Sequence, residues 1–229
     1  SIFAGAVLMS SSVVWAVEIN VAPPGNPGDG WALFDPYSIY VPSKDNELSS
    51  SDNKVNITGT TDGSFAFAGG FGNGKNAETN TVNISGGNFT NGSFGVIGGC
   101  TSNDGDVVDN IVNISGGSFT KVMGGYAIGY GDAKGNIVNI SGGAISTSLY
   151  GGYASYGNAE SNTVNISGDV TVGDNSRLFI YGGYGKNANN NKVNISGDVT
   201  GTAIIHSGYA TEQTGNANNN EVILSGALN

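Results

Sequence analysis

The sequence is poor in the residues that supply thiol or imidazole chemistry. Cys100 is its single cysteine and His206 its single histidine among 229 residues. One cysteine excludes an intramolecular disulfide and a metal site built on cysteine, and we expect Cys100 to be a small buried apolar residue. No Ser–His–Asp or Cys–His set accompanies His206. We therefore predict that the protein is not an enzyme and has no catalytic residues, cofactor or metal.

Basic residues are also scarce. Lys and Arg together number 8, against 18 Asp and Glu, so the net charge at pH 7 is −10. The basic residues are scattered singly and form no stripe that would neutralise phosphates, so nucleic acid is not an expected partner. Long helices are not expected, because Gly and Asn are poor helix formers and good helix formers do not cluster at helical spacing.

Proline is absent from most of the sequence, and the start of the chain differs from the rest. Residues 1–16 hold an apolar run that ends in small residues at Ala16, which predicts the remnant of a signal peptide and therefore export. Residues 17–48 contain all five prolines. We expect this segment to cap the first coil of a repeat domain at residues 49–229. The aromatic residues expected to plug that coil are Trp31, Phe34, Tyr37 and Tyr40.

Internal repetition dominates residues 49–229. A Val-x-Ile anchor, preceded by Asn two residues before the Val, recurs at intervals of 27, 30, 26, 26, 29 and 29 residues. In each of the first six copies the two aliphatic residues point to one side of a short strand and the polar residue between them to the other, and the last copy reads Val222-Ile223-Leu224. The anchors begin at Val55, Val82, Val112, Val138, Val164, Val193 and Val222.

A second anchor lies midway between these strands and reads apolar-x-Gly-Gly-aromatic, as in "LYGGY" at residues 149–153. One unit alone cannot bury enough apolar surface to offset the ordering of its backbone at roughly 1–2 kcal/mol per residue. Stacking lets each strand pair with its equivalent in the next unit. We predict an all-β fold, a parallel β-helix of about seven coils with 26–30-residue repeats and an N-terminal cap.

The recurring Asn and Gly residues are expected to serve the coil corners. Stacked Asn side chains can pass amide hydrogen bonds from coil to coil, and Asn tolerates the left-handed backbone that a corner needs. The Gly pairs suit similar corners. The predicted structural ladder is Asn80, Asn110, Asn136, Asn162, Asn191 and Asn220.

Strand alternation also predicts a surface. It places Leu149, Gly151 and Tyr153 on one face and Tyr150 on the other. With the Leu149 column inside, the opposite column becomes a candidate contact stripe. Coverage of that stripe by a loop or another segment is the alternative, and the sequence slightly favours it. The candidate exposed contact column is Met123, Tyr150, Tyr181 and His206.

Two further motifs have a chemical and a structural interpretation. Asp104, Asp106 and Asp109 could hold Ca²⁺, but a solvated turn is the favoured interpretation. Asn-Ile-Ser or Asn-Ile-Thr recurs six times from Asn56 to Asn194 and is formally a glycosylation signal. Outward polar residues on a repeated strand explain it more simply.

The repeat typified by "NTVNISGG" and "LYGGY" resembles the passenger-domain repeats of Gram-negative type V autotransporters, many of them adhesins. The resemblance spans residues 49–229. It implies a non-enzymatic adhesin or stalk, exported to the cell surface, the outer membrane or the extracellular space, and an outer-membrane barrel beyond residue 229. The implied partner is a protein or glycan on a host or bacterial cell, with self-association along the solenoid axis as a further expectation.

Two alternatives remain at this stage, because β-helices support many functions. The first is a self-assembling extracellular fibre or surface layer. The second is a secreted enzyme that cleaves polysaccharides, which would need acids from neighbouring coils to converge in one groove.

Overall fold

A computed structural model describes residues 18–20, 31–34, 39–44, 47–58, 66–90, 94–173 and 177–229. These residues form β-strands and turns and no helix, as predicted. It follows that no helix in the described ranges could span a membrane. The predicted signal-peptide remnant at residues 1–16 lies outside the described residues.

The strands are short and closely spaced along the chain. The first thirteen are β1 (Glu18–Ile19), β2 (Trp31–Phe34), β3 (Ile39–Lys44), β4 (Glu47–Leu48), β5 (Lys54–Ile57), β6 (Ala66–Ala68), β7 (Phe71–Asn73), β8 (Ala77–Glu78), β9 (Thr81–Ile84), β10 (Asn88–Phe89), β11 (Val96–Ser102), β12 (Val107–Val108) and β13 (Ile111–Ile114). The others are β14 (Ser118–Ala127), β15 (Ala133–Lys134), β16 (Ile137–Ile140), β17 (Gly143–Ala154), β18 (Ala159–Glu160), β19 (Thr163–Ile166), β20 (Val170–Val172), β21 (Leu178–Gly185), β22 (Ala188–Asn189), β23 (Lys192–Ile195), β24 (Val199–Thr200), β25 (Ala203–Ala210) and β26 (Glu221–Leu224).

Three sheets form the walls of a parallel β-solenoid. Sheet 1 has eight strands in the order β1-β5-β9-β13-β16-β19-β23-β26, and it carries the Val-x-Ile anchors. Sheet 2 has thirteen strands and carries the Gly-Gly anchors on β11, β14, β17, β21 and β25. Sheet 3 is the five-stranded row β22-β18-β15-β12-β8. The five turns from β5 to β22 each contribute a strand to sheet 1, then to sheet 2, then to sheet 3, and the last turn contributes to sheets 1 and 2.

The predicted parallel β-helix is confirmed, with a smaller number of turns than expected. The Val residues of the anchors pair in register from Val55 to Val222. Seven anchors enclose six complete turns, so the prediction of about seven coils counted strands rather than turns. The spacing of 26–30 residues is kept because the variable residues fall in the connections between strands.

Aliphatic columns fill the interior. Val and Ile of the sheet 1 anchors point inward and are at most 3% exposed from Val55 to Ile195. The facing column on sheet 2 includes Phe67 and Leu149, both fully buried. One core cluster therefore runs through successive turns, and burial of each column depends on the turns above and below it.

The described strands of the N-terminal segment continue the sheets of the solenoid beside its first coil. Strand β2 pairs antiparallel with β3, and β3 continues sheet 2 by pairing in parallel with β6. Trp31 is 1% exposed and its ring meets Phe67 edge to face, with centroids 5.8 Å apart. Tyr40 also packs against the core cluster. A buried Trp at this place shields the first coil from water.

The corners of the solenoid use a different residue from the one predicted. The left-handed backbone falls on the residue before each ladder Asn, as at Thr79 (φ 55°) and Asp109 (φ 52°). In the turn before Asn136 this place belongs to Gly135 (φ 63°). The prediction that the ladder Asn residues themselves adopt this conformation was therefore wrong. Their role is carried by their side chains.

Candidate binding surface

The ladder Asn side chains form a continuous column inside the solenoid. Asn136 illustrates the pattern: its Nδ2 donates to Oδ1 of Asn162 (2.9 Å) and to the carbonyl oxygen of Val107 (2.9 Å). Its own Oδ1 accepts from the backbone N–H (3.1 Å) and Nδ2 (2.9 Å) of Asn110. Both donors and both lone pairs of the amide are used, which makes a fully buried Asn tolerable.

The Asn-to-Asn hydrogen bonds of this inner ladder extend from Asn53 to Asn220, and in each of them Nδ2 donates to Oδ1 of the next, C-terminal turn. It includes all six predicted ladder residues, together with Asn53. A second, outer ladder on sheet 1 consists of the Asn between Val and Ile, from Asn56 to Asn194. Its Nδ2 groups donate towards the N-terminal turn, as from Asn113 to Asn83 (2.8 Å). These are the residues of the recurring glycosylation signal.

The Gly pairs leave room for the inner ladder. A Cβ on Gly125 would lie 2.6 Å from Cγ of Asn136, and one on Gly99 would lie 2.5 Å from Cγ of Asn110. Neither Gly has a positive φ, so space for the Asn amide, and not backbone freedom, requires glycine here. The pair also marks a bend, since β6 and β7 are separated there in the first turn.

The bend resets the alternation of side chains along sheet 2. On β17 both glycines face inward, and Tyr150 and Tyr153 are therefore both on the outer face. Their ring centroids are 5.1 Å apart. The prediction that Tyr153 shares a face with Leu149 and lies opposite Tyr150 was wrong, because strict alternation does not continue through two buried glycines.

The consequence is a double column of aromatic rings, here called the aromatic patch. Its first column follows the register Tyr150, Tyr181, His206, and its second follows Tyr126, Tyr153, Tyr184, Tyr209. From Tyr150 and Tyr153 onwards the rings stack along each column and meet edge to face between the columns. Tyr126 meets Tyr153 edge to face. The patch thus consists of Tyr126, Tyr150, Tyr153, Tyr181, Tyr184, His206 and Tyr209.

Ring geometry in the patch is close to ideal. Tyr150 and Tyr181 stack at 4.9 Å with an interplanar angle of 8°, and Tyr184 and Tyr209 stack at 5.1 Å and 5°. Across the columns, Tyr181 meets Tyr184 at 5.4 Å and 83°. Such offset or edge-to-face pairs contribute about 0.5–1.5 kcal/mol each beyond their buried area. The rings are therefore held in place before any partner arrives.

The patch is accessible at its C-terminal end. Tyr209 is 41% exposed, and Tyr150, Tyr181 and His206 are half-buried.

Met123, the first member of the predicted contact column, is only 2% exposed. Its prediction as an exposed residue was wrong, since it packs in an apolar cluster with Ile97 and Cys100, and Tyr126 and Tyr150 lie against that cluster. The second aromatic column was missed.

Burial favours the neutral form of four tyrosine hydroxyls in the patch. Burial raises the pKa of Tyr150 to about 12, with a smaller opposing effect of a hydrogen bond to Ser148. Burial, followed by neighbouring tyrosines, also raises the pKa of Tyr153, Tyr181 and Tyr184. The patch thus offers apolar ring surface with neutral hydroxyl groups.

His206 belongs to the aromatic patch. Its ring stacks on Tyr181 at 5.3 Å with an interplanar angle of 9°. It also meets Tyr209 edge to face at 5.5 Å. These contacts explain why a flat ring is placed in a slot that holds Tyr in the two preceding turns.

Two of the acidic residues form salt bridges to one lysine. Asp106 and Asp132 occupy equivalent places in successive turns, and Lys134 bridges them through Oδ2 atoms at 3.1 and 2.9 Å. Hydrogen bonds to Asp132 and then Asp106 raise the pKa of Lys134 against the opposing effect of burial. Within the described ranges, no group of three or more His, Cys, Asp or Glu could hold a metal ion.

Comparison of the chain with family models, with curated proteins and with solved structures gave no match.

Proposed function

We propose that this protein is a non-enzymatic adhesin or stalk, exported to the cell surface and built as the passenger of an autotransporter. Its solenoid holds the aromatic patch rigidly at a fixed distance from whatever anchors the chain. The patch binds a protein on the surface of a host or neighbouring cell. The repeat resemblance supports the cellular setting, and the patch supports the binding role.

The aromatic patch is the observation that carries this proposal. Tyrosine is enriched at protein interfaces and at their energetic centres, because its ring gives a large contact area with few rotatable bonds. In this solenoid the rings are already ordered by stacking on each other, so binding would cost little side-chain entropy. Seven adjacent rings on one outer face give a partner a broad contact surface of this kind.

The test is binding of the purified chain to cultured epithelial cells and to a panel of immobilised oligosaccharides. We expect saturable binding to cells that protease treatment of those cells abolishes. Tyr181→Ala should weaken it at least about tenfold, as expected for a central interface tyrosine. Tyr130→Ala is the matched control, because Tyr130 is 73% exposed and its ring contacts Tyr156, outside the patch.

Three results would contradict the proposal. Equal binding by the Tyr181→Ala and wild-type chains would remove the patch from the interface. Protease-resistant cell binding with strong oligosaccharide binding through the patch would make its partner a glycan. Self-association of the wild-type chain that Tyr181→Ala abolishes, without cell binding, would favour the fibre alternative.

A further inference from the structure

A second candidate site lies on sheet 1, the wall that carries the Val-x-Ile anchors. A groove of about 590 Å³ follows the solenoid axis there. One side is the outer ladder from Asn56 to Asn139, and the other is the column of Ser residues from Ser85 to Ser167 that directly follow the anchors. The groove thus repeats the same polar side chains over four adjacent turns.

These side chains retain hydrogen-bonding capacity after the fold is formed. Nδ2 of Asn113 donates one hydrogen to Asn83, and Oδ1 of Asn113 accepts one from Asn139 (2.8 Å each). An amide has two donors and two lone pairs, so one of each is left over from the ladder. Oγ of Ser115 donates to the carbonyl oxygen of Ile84 (3.4 Å), which leaves its lone pairs as acceptors.

The lining of the groove selects the chemistry of its ligand. The described residues that line it are Asn, Ser, Thr and Ile, and none of them is charged, so a polyanion or polycation gains no ion pair with them. An extended peptide would need backbone partners, but the strands of sheet 1 are already paired with those of the adjacent turns. Hydroxyl groups both donate and accept, and they match a mixed row of amides and hydroxyls.

We propose that this groove binds a neutral, unbranched polysaccharide chain lying along the solenoid axis. Equivalent side chains recur at the strand spacing of about 4.8 Å, so one sugar chain would meet the same contacts in several turns. Many weak, repeated contacts then combine into useful affinity. This site is separate from the aromatic patch, which lies on sheet 2, and its binding does not depend on the patch.

The experiment measures binding of linear neutral glucan oligosaccharides of increasing length to the full chain by isothermal titration calorimetry. Affinity should rise with length until the four turns are covered and then level off. Oligomers of uronic acids of the same linkage and a neutral extended peptide should bind more weakly. Tyr181→Ala should leave this binding unchanged.

The outer ladder offers a matched pair of variants. Asn113 lines the groove and Asn165 does not, yet both sit mid-ladder with equivalent bonds to both neighbours. An aliphatic residue is compatible with this place, since Ile223 occupies it in the last turn. We expect Asn113→Val to weaken glucan binding about tenfold, from the loss of one or two hydrogen bonds. Asn165→Val removes only the hydrogen bond that Asn139 accepts at the edge of the groove, so it should cost clearly less binding.

A second pair of variants, with smaller expected effects on binding, tests the serine column on the other side of the groove. Ser115 and Ser196 each donate to an Ile carbonyl of the preceding turn at 3.4 Å, but only Ser115 lines the groove. Ser115→Ala should weaken binding a few-fold and Ser196→Ala should not. Affinity that does not depend on oligosaccharide length, equal losses in both members of a pair, or a preference for the peptide would each overturn the proposal.

Discussion

Gly125 lies directly against the buried amide of Asn136, so close that a Cβ on this glycine would be 2.6 Å from Cγ of Asn136. The inner ladder and the glycine pairs are therefore one structural device. Each amide bonds to the next turn because the opposite wall has no side chain at this point. The first prediction tests this relationship.

Gly125→Ala should destabilise the fold by about 2–3 kcal/mol, because the methyl group must displace a fully hydrogen-bonded amide. Gly74→Ala is the comparison: it has open space around the added methyl and a φ of +65°, so only backbone strain of about 1–2 kcal/mol applies. Urea unfolding followed by circular dichroism measures both. A cost at Gly125 no larger than that at Gly74 would refute the steric argument.

Asn136→Ala should lower the free energy of unfolding by about 3 kcal/mol or more. It leaves the backbone N–H and Nδ2 of Asn110 without their acceptor in a buried site, and each such loss costs about 1–3 kcal/mol. Asn220→Ala is the control, since Asn220 is only half-buried and water can replace it. The same urea titration should show a clearly smaller loss in the free energy of unfolding for Asn220→Ala. Similar losses in both variants would contradict a stabilising role of the buried hydrogen bonds in the ladder.

The aromatic patch predicts an alkaline transition. Because the folded-state pKa of Tyr150 is raised to about 12, above an ordinary value of about 10, the unfolded chain loses this proton first. The associated stability is complete below about pH 10 and declines as the pH rises towards 12. Ultraviolet titration of tyrosinate should contain a component with a pKa of about 12 that Tyr150→Phe removes. If this component persisted in the Tyr150→Phe variant, it would belong to a different tyrosine.

Lys134→Met should reduce stability by less than about 1 kcal/mol, because its ion pairs with Asp106 and Asp132 are partly exposed. The loss should shrink in high salt, which screens the remaining Asp–Asp repulsion. Since the folded-state pKa of Lys134 is raised, the contribution is present at neutral pH and disappears as the pH rises through that pKa. A loss that is independent of salt would point to packing of the alkyl chain.

The reactivity of the Cys100 thiol reports how often the folded solenoid opens locally. It is fully buried and burial raises the pKa of its thiol, so both access and thiolate formation are suppressed. Reaction with a thiol reagent should be far slower in the native protein than in urea. The rate should rise in the Asn136→Ala variant, if that variant opens the adjacent turns more often. Fast native labelling would contradict the buried position.

Much of the fold was predictable because it depends on features that repeat. The inward Val and Ile columns follow from alternation in a short strand, and repetition forces equivalent strands to pair. The inner Asn ladder was predictable for the same reason. The position of the left-handed residue at each corner was not predictable. It is held by Asp52, Thr79, Gly135 and Ser161 in different turns, and these residues share no side-chain signal.

The aromatic patch was only half predictable. Tyr150 and Tyr181 were expected on an outer face, but the recurring final Tyr of the Gly-Gly anchor was assigned inward. The missing information was the bend at the glycines, which places residues three apart on one face. Burial of Met123 depends on Phe94, Tyr126 and Tyr150 around its cluster, and such tertiary packing is not visible in a repeat pattern. The signal that could have found the second column is the recurrence of Tyr itself.

The two Asn ladders run in opposite senses along the solenoid. In an α-helix the peptide dipoles are aligned and sum to partial charges at its two ends. In this solenoid each turn from Asn80 to Asn194 contributes one amide that points its N–H towards the C-terminus and one that points it towards the N-terminus. The two rows of side-chain dipoles oppose each other, so they add little net field at either end, however many turns are stacked.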